Sequence, residues 1–262
     1  MLSEEAMNSK NHRLSVRKII SLPLQALLLG LCLGAGLRAQ TLPLTENLIN
    51  FNSREGEELL LESQSRQDYL PLSIQFVTQK NGAYCGVASM VMVLNALSIP
   101  APEAPEFGEY RTFTQDNLFN AQARQVVTPE VVSRQGMTLA ELGKLLESYP
   151  VIAEVYYGGD VTLAEFRNLV VKNLQEPKNF VLVNYLRKTI GQERGGHISP
   201  VAAYSEETDR FLILDVSRYK YPPVWVTAEE LWQATATTDL SSGKTRGFVL
   251  VSPRRDEGEM GR

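Results

Sequence analysis

Residues 79–99 decide the fold, and they read QKNGAYCGVASMVMVLNALSI. The stretch 86–97 is apolar nearly all round, which is typical of a helix buried in the centre of a domain. Three prolines within residues 100–105 end this helix. The preceding loop places Cys85 at or near the helix N-terminus, where the helix dipole and free N–H groups stabilise a thiolate. Cys85 is therefore a candidate nucleophile.

Two further residues complete a candidate catalytic set. His197 lies in RGGHISP, where the glycines allow a ligand backbone to approach closely. Asp215 follows four apolar residues, and a hairpin formed by residues 198–204 and 211–216 would bring it beside His197. Cys–His catalysis needs a thiolate, a base and a group that orients the imidazole. The sequence thus predicts that Cys85, His197 and Asp215 act together.

Gln79 is a candidate fourth member of this set, because it lies six residues before Cys85. Its side-chain amide and the backbone N–H of Cys85 could form an oxyanion hole. Each residue also has a plainer interpretation: a lone cysteine is commonly a small buried side chain, a histidine can be satisfied in the core, and an aspartate can end a strand. A non-catalytic binding module therefore stays open as a hypothesis.

The remaining pattern predicts helices early and strands late. Thr-x-x-Glu segments beginning at Thr138, Thr162 and Thr227 are typical of capping boxes at helix starts. Runs rich in β-branched and aromatic residues follow at 180–185, 198–204, 211–216 and 247–252. This order predicts an α+β fold, with a helical lobe packed on an antiparallel sheet and the active site in the cleft between them.

Residues 1–39 have the composition of an export signal. Basic residues precede an apolar run over residues 19–37, and Ala39 is a small residue at the expected cleavage point. The run is also roughly long enough to span a bilayer, so an uncleaved anchor in the cytoplasmic membrane is the alternative. Both interpretations predict an exported protein, periplasmic or extracellular, with residues 40–262 as the catalytic domain.

Charge and cysteine content exclude several classes of protein. The 262 residues carry a net charge of −4. Residues 1–39 hold 5 basic and 2 acidic residues, so the remainder has 21 basic against 28 acidic residues, a net charge of −7. A nucleic-acid binder with a basic face is thereby excluded. Beyond residue 39 the sequence has one cysteine and one histidine, Cys85 and His197, which excludes a disulfide framework and a Cys/His zinc cluster there.

The motifs resemble those of the phytochelatin synthase family, whose members have a papain-like cysteine peptidase fold. The spacing between Gln79 and Cys85 is also the spacing found in papain. The matching segments follow the family order: residues 79–99, 195–204, 213–226 and 242–248. Together they cover roughly residues 70–252. The resemblance implies a glutathione γ-glutamylcysteinyltransferase, which removes glycine from glutathione through a thioester and passes γ-Glu-Cys to another glutathione or to water.

The resemblance also implies the role of each site residue. Cys85 would be the nucleophile, His197 the general base and acid, Asp215 the orienting carboxylate and Gln79 the oxyanion donor. The residues expected to bind substrate are Gly196, Ile198, Asp239 and Arg246. Of these, the last two would hold the γ-glutamyl end, whose charged amino and carboxylate groups need an anion and a cation.

The family further implies which small molecules take part. We expect no tightly bound cofactor and no metal site on the protein. Cadmium or zinc would enter as glutathione thiolates that serve as co-substrates and activators, in metal detoxification or glutathione turnover. The chain resembles the short bacterial form of the family, which is similar to the catalytic half alone. Whether the chain forms a homodimer is left open by the sequence. An exported papain-like peptidase acting on another peptide is the alternative function.

Overall fold

One β-sheet positions the candidate functional residues, and its strands are spread along the described chain. The computed structural model describes residues 41–254, so the predictions for residues 1–39 lie outside the described residues. Its strands are β1 (Ile49–Asn50), β2 (Val151–Tyr157), β3 (Phe180–Leu186), β4 (Gly196–Ser205), β5 (Arg210–Ile213), β6 (Val224–Thr227) and β7 (Gly247–Pro253). They form one sheet in the order β1-β6-β5-β4-β3-β7-β2, and every neighbouring pair is antiparallel.

Helices cover both faces of this sheet. They are α1 (Arg54–Glu62), α2 (Tyr69–Ile74), α3 (Cys85–Ala96), α4 (Ala123–Val126), α5 (Pro129–Gln135), α6 (Leu139–Leu146), α7 (Leu163–Gln175) and α8 (Ala228–Thr235). Alternate residues of β3 enter two different cores: Leu182 packs with α3 and α6, whereas Val181 and Val183 pack with α7 and α8. Such alternation is expected of a strand buried on both faces. The predicted α+β class is confirmed. The helices predicted to start at Thr162 and Thr227, α7 and α8, pack on the second face, so the helices do not form a lobe on one face alone.

Helix α3 is the buried central helix that the sequence predicts. It begins at Cys85, and its first ten residues are all buried. The hydroxyl of Ser89 lies 2.8 Å from the carbonyl oxygen of Cys85 and 3.2 Å from that of Ile198 on β4. This buried contact fixes the N-terminal turn of α3 against the strand that carries His197.

The predicted capping boxes are complete at two helices and half formed at a third. Thr138 and Thr162 are the N-cap residues of α6 and α7, and each exchanges hydrogen bonds with the glutamate three residues later. Thr227 accepts from the backbone N–H of Glu230, but it is also the last residue of β6. The carboxylate of Glu230 instead accepts from the Thr227 hydroxyl and from Asn47.

The predicted hairpin is confirmed as β4 and β5, joined by a turn. It is shorter than expected, because β5 ends at Ile213 and leaves Asp215 just beyond the strand. The sequence did not predict β1, β2 or β6. Strand β2 lies at the sheet edge, and its exposed positions alternate irregularly, which weakens its pattern. No helix within residues 41–254 is both long and apolar enough to cross a bilayer.

Candidate active site

The thiol of Cys85 lies buried at the first residue of α3. Burial alone would raise the pKa of this thiol, because it disfavours the charged form. A hydrogen bond from His197 and its positive charge act in the opposite direction, together with backbone N–H groups at Ile198 and Gly86. The lowering contributions are larger in sum, so the pKa of Cys85 lies below its ordinary value. The site therefore favours a thiolate.

His197 is the second residue of β4 and lies opposite Tyr185 on β3. The two rings meet edge to face, with centroids 5.7 Å apart. The imidazole Nε2 lies 2.8 Å from Oδ1 of Asp215. Because an ionised carboxylate only accepts hydrogen bonds, Nε2 carries the proton and Nδ1 is left to face Cys85. Burial lowers the pKa of His197, but the charge of Asp215 and the hydrogen bonds with Asp215 and Cys85 together outweigh burial and raise the pKa overall.

Asp215 has no exposed surface and accepts four hydrogen bonds. One comes from His197, one from the backbone N–H of Ser217 at 2.8 Å, and two from the guanidinium of Arg187 at 2.7 and 2.9 Å. Burial would raise the pKa of this carboxyl. The positive charges of His197 and Arg187, with their hydrogen bonds, hold it well below its usual range.

Arg187 is a site residue that the sequence analysis did not predict. It follows β3 directly, and its side chain is 3% exposed. The signal was present, because a charged residue immediately after a largely apolar, buried strand is seldom a surface residue. The same argument identified Asp215 after residues 211–214.

Gln79 is placed beside the segment that follows Asp215. Its backbone N–H donates to the carbonyl oxygen of Val216 at 2.9 Å. Its side-chain amide donates to the carbonyl oxygen of Asn81 at 2.6 Å and to the hydroxyl of Tyr219 at 3.2 Å. Both amide N–H groups thus have partners, and the role of Gln79 as an oxyanion donor stays a prediction.

The four residues predicted to bind substrate meet at one end of β3, β4 and β7. Arg246 donates to the side-chain oxygen of Asn184 at 2.9 Å, and its guanidinium lies 3.7 Å from Oδ1 of Asp239. Gly196 lies so close to this guanidinium that a Cβ at that position would be 2.3 Å from Nη1 of Arg246. Ile198 is paired with Asn184 across the two central strands.

Asn184 is the member of this cluster that sequence analysis missed. It is 1% exposed and stands inside the apolar run of β3. A buried amide in such a strand has to find hydrogen-bond partners, since an unpaired one is costly. Its acceptor oxygen fixes the guanidinium of Arg246, whose Nε is buried without a protein partner.

The family model described as phytochelatin synthase matches residues 39–248. This chain belongs to the phytochelatin synthase family. Glutathione gamma-glutamylcysteinyltransferase 1 of Arabidopsis thaliana is 36% identical over 228 residues, which is 86% of this chain and 46% of that protein. The enzyme of that name from Schizosaccharomyces pombe is 30% identical over 213 residues, 80% of this chain and 50% of that protein.

The chain thus spans about half the length of the curated relatives that it matches. Among solved structures, xylellain, a cysteine protease from Xylella fastidiosa, covers 82% of this chain and 95% of its own. The two are 10% identical, with a TM-score of 0.39.

Removing the carboxylate of Asp215 should destabilise the fold strongly. We expect Asp215→Ala to lower the free energy of unfolding by about 3–5 kcal/mol, because it leaves the buried charge of Arg187 without its partner. Urea denaturation at neutral pH measures this loss. The matched control is Arg167→Gln, which breaks a two-bond pair with Asp209 at a more exposed site and should cost about 1 kcal/mol or less. Equal losses in the two variants would contradict the prediction.

Proposed function

We propose that this protein is a glutathione γ-glutamylcysteinyltransferase that also hydrolyses glutathione. The observation that carries the proposal is one arrangement in a chain of the phytochelatin synthase family: Gly196 contacts the guanidinium of the Arg246–Asp239 cluster, and the next residue, His197, belongs to the buried set with Cys85 and Asp215. A nucleophile with its base, next to a paired cation and anion, suits an amide substrate whose acyl end carries both charges.

The first half of the reaction forms a thioester. The thiolate of Cys85 attacks the carbonyl carbon that joins cysteine to glycine in glutathione. The imidazolium of His197 gives its proton to the glycine nitrogen, the C–N bond breaks, and glycine leaves. Asp215 keeps the imidazole in the required tautomer throughout. The backbone N–H of Cys85 at the start of α3 is one donor for the oxyanion, and the Gln79 amide is a second once the Tyr219 hydroxyl releases it.

The second half of the reaction transfers the acyl group. The α-amino group of another glutathione, or water, attacks the thioester carbonyl, and neutral His197 accepts the proton of the attacking group. The C–S bond then breaks and the Cys85 thiolate is restored. With glutathione as acceptor the product is (γ-Glu-Cys)₂-Gly, and with water it is γ-Glu-Cys.

The γ-glutamyl end fits the cluster at Arg246. The α-carboxylate would bind the guanidinium, where a buried Nε–H has no protein partner, and the α-ammonium would bind Asp239. Asn184 holds the guanidinium from the other side. Because Gly196 has no Cβ, the guanidinium can lie against the strand beside His197.

Cadmium or zinc enters this scheme as part of a substrate. A thiolate of glutathione bound to either ion presents the same γ-glutamyl and glycine groups as free glutathione, so it can occupy the same site as donor or acceptor. The protein itself need supply no ligand for the ion.

Glutathione supplied to the purified protein should yield glycine and γ-Glu-Cys, and Cys85→Ser should abolish both. Mass spectrometry of the products, with and without cadmium, measures the two half-reactions, since longer γ-Glu-Cys products report transfer. Cys32→Ser is the control for thiol loss outside the described residues and should keep the wild-type rate. Glycine release that survives in Cys85→Ser would exclude the thioester mechanism.

Arg246→Lys should raise KM for glutathione by about tenfold or more, because lysine keeps the charge but loses the two-point contact with a carboxylate. Steady-state glycine release measures it. Arg254→Lys is a matched control at the far end of β7, where the guanidinium donates to a backbone carbonyl oxygen of β2. A wild-type KM in Arg246→Lys would favour the alternative function, a papain-like peptidase acting on another peptide.

We also propose that the protein is exported. The support is the basic segment, the apolar run of residues 19–37 and the small residue Ala39. Expression in a Gram-negative host followed by fractionation should place the protein in the periplasm, with a mass that corresponds to cleavage after Ala39. A full-length chain in the membrane fraction would favour the anchored alternative. A full-length chain in the cytosol would contradict export.

A further inference from the structure

The buried guanidinium of Arg187 is not used by the mechanism above. Its side chain is 3% exposed and contacts both oxygens of Asp215 through two hydrogen bonds, at 2.7 and 2.9 Å. Asp215 in turn holds His197 at 2.8 Å. Because both groups are buried and joined by two hydrogen bonds, the Arg187 guanidinium and the Asp215 carboxylate fix each other's position.

Two other contacts restrain the same guanidinium, and backbone hydrogen bonds hold the turn around it. Nη1 also donates to the side-chain oxygen of Gln192, and the guanidinium carbon lies 5.1 Å from the ring centroid of Tyr221. The hydroxyl of Tyr221 accepts from the backbone N–H of Glu193 at 2.9 Å. The backbone N–H of Arg187 donates to Gly195, two residues before His197. Arg187 therefore lies in a rigid turn that connects β3 to β4.

We propose that Arg187 is a positioning residue of the catalytic set, which orients Asp215 and offsets its charge so that His197 can release its proton to the leaving amine. This inference rests on the proposed Cys–His mechanism. A fully buried aspartate with no counter-charge other than His197 would hold the imidazolium too strongly, because Coulomb interactions are large out of water. The guanidinium of Arg187 supplies a second positive charge, which weakens the net attraction of the site for the imidazolium proton.

The charged and titratable groups around His197 are few. Cys85 faces it from α3, Asp215 from the segment after β5, Tyr185 from β3 and Arg187 from the turn after β3. Of these, the charge of Asp215 raises the pKa of His197 and the charge of Arg187 lowers it. Loss of the Arg187 charge with Asp215 in place should therefore move the loss of the imidazolium proton to higher pH.

Two substitutions separate the geometry of Arg187 from its charge. Arg187→Gln keeps a hydrogen-bond donor but removes the charge, whereas Arg187→Lys keeps the charge but loses the two-bond contact. Both are made in the full chain carrying Cys32→Ser, so that Cys85 is the one thiol. The matched control is Arg167→Gln. It breaks another two-bond Arg–Asp pair, with Asp209 beyond the far end of β4, about 25 Å from His197 by strand length.

The first readout needs no substrate. The rate at which iodoacetamide alkylates Cys85, measured against pH, reports formation of the thiolate–imidazolium pair and then loss of the imidazolium proton. We expect the second step to move up by about 0.5–1 pH unit in Arg187→Gln and to stay within about 0.2 unit of wild type in Arg187→Lys and Arg167→Gln. Because this assay uses no glutathione, it remains informative even if the proposed substrate is wrong.

The second readout is the rate of glycine release from glutathione. Arg187→Lys should lose about 10- to 100-fold in kcat, since small misplacements of a catalytic group are costly. KM should change little, because Arg187 does not touch the Arg246 cluster. Gln192→Met, which frees one side of the guanidinium and keeps its charge, should give a smaller loss in kcat. It also provides a test should either Arg187 variant fail to fold.

Several results would overturn the inference. A second alkylation step at the wild-type pH in Arg187→Gln would exclude the charge role. Wild-type kcat in both Arg187→Lys and Gln192→Met would exclude the orienting role. A loss of thermal stability equal to that of Arg167→Gln, with neither kcat nor the pH step altered, would show that Arg187 is purely structural.

Discussion

Asp215 is a carboxylate removed entirely from water, and the arrangement of the site depends on it. Transfer of such a group from water costs several kcal/mol unless it is paired and hydrogen bonded. Here the pairing draws on three parts of the chain: the turn after β3 gives Arg187, β4 gives His197, and the backbone at Ser217 gives an N–H. Folding therefore places the imidazole and the guanidinium together, because either charge buried without Asp215 would be uncompensated.

The order of strands in the sheet explains why acyl binding and bond cleavage occur side by side. Strand β3 lies between β4 and β7, with Asn184 opposite Ile198 on one side and Gly247 on the other. Arg246 immediately precedes β7, and its guanidinium contacts Asn184 on β3 and Gly196 on β4, the strand that carries the histidine. The hydrogen bond between Arg246 and Asn184 joins residues 62 positions apart in the chain. The site thus forms only when the central strands are paired.

Local patterns predicted the parts of the molecule whose cause is local. The nearly all-apolar run after Cys85 predicted α3, the threonine signals predicted α6 and α7, and the β-rich runs 198–204 and 211–216 predicted the β4–β5 hairpin. From that hairpin followed the pairing of His197 with Asp215, since the two lie at adjacent strand ends.

What the sequence did not predict depends on tertiary contacts. Arg187 and Asn184 matter because of partners at Asp215 and Arg246, 28 and 62 residues away, and no short pattern encodes those pairings. Gln79 shows the same limit, because its spacing from Cys85 is visible but its contact with the hydroxyl of Tyr219 is not. Strand β2 was missed for a related reason: it lies at the sheet edge, where burial imposes little alternation.

Three consecutive residues of β4 serve three different parts of the site. Gly196 lies under the guanidinium of Arg246, His197 binds Asp215, and the carbonyl oxygen of Ile198 contacts Ser89 of the nucleophile helix. Because side chains alternate between the faces of a strand, a shift of one residue between β3 and β4 would turn the imidazole away from Asp215 and set a Cβ against the guanidinium. The pairing of β3 with β4 is therefore specified from both faces, by apolar burial and by polar contacts. The same register that stabilises the sheet fixes the geometry of the candidate active site.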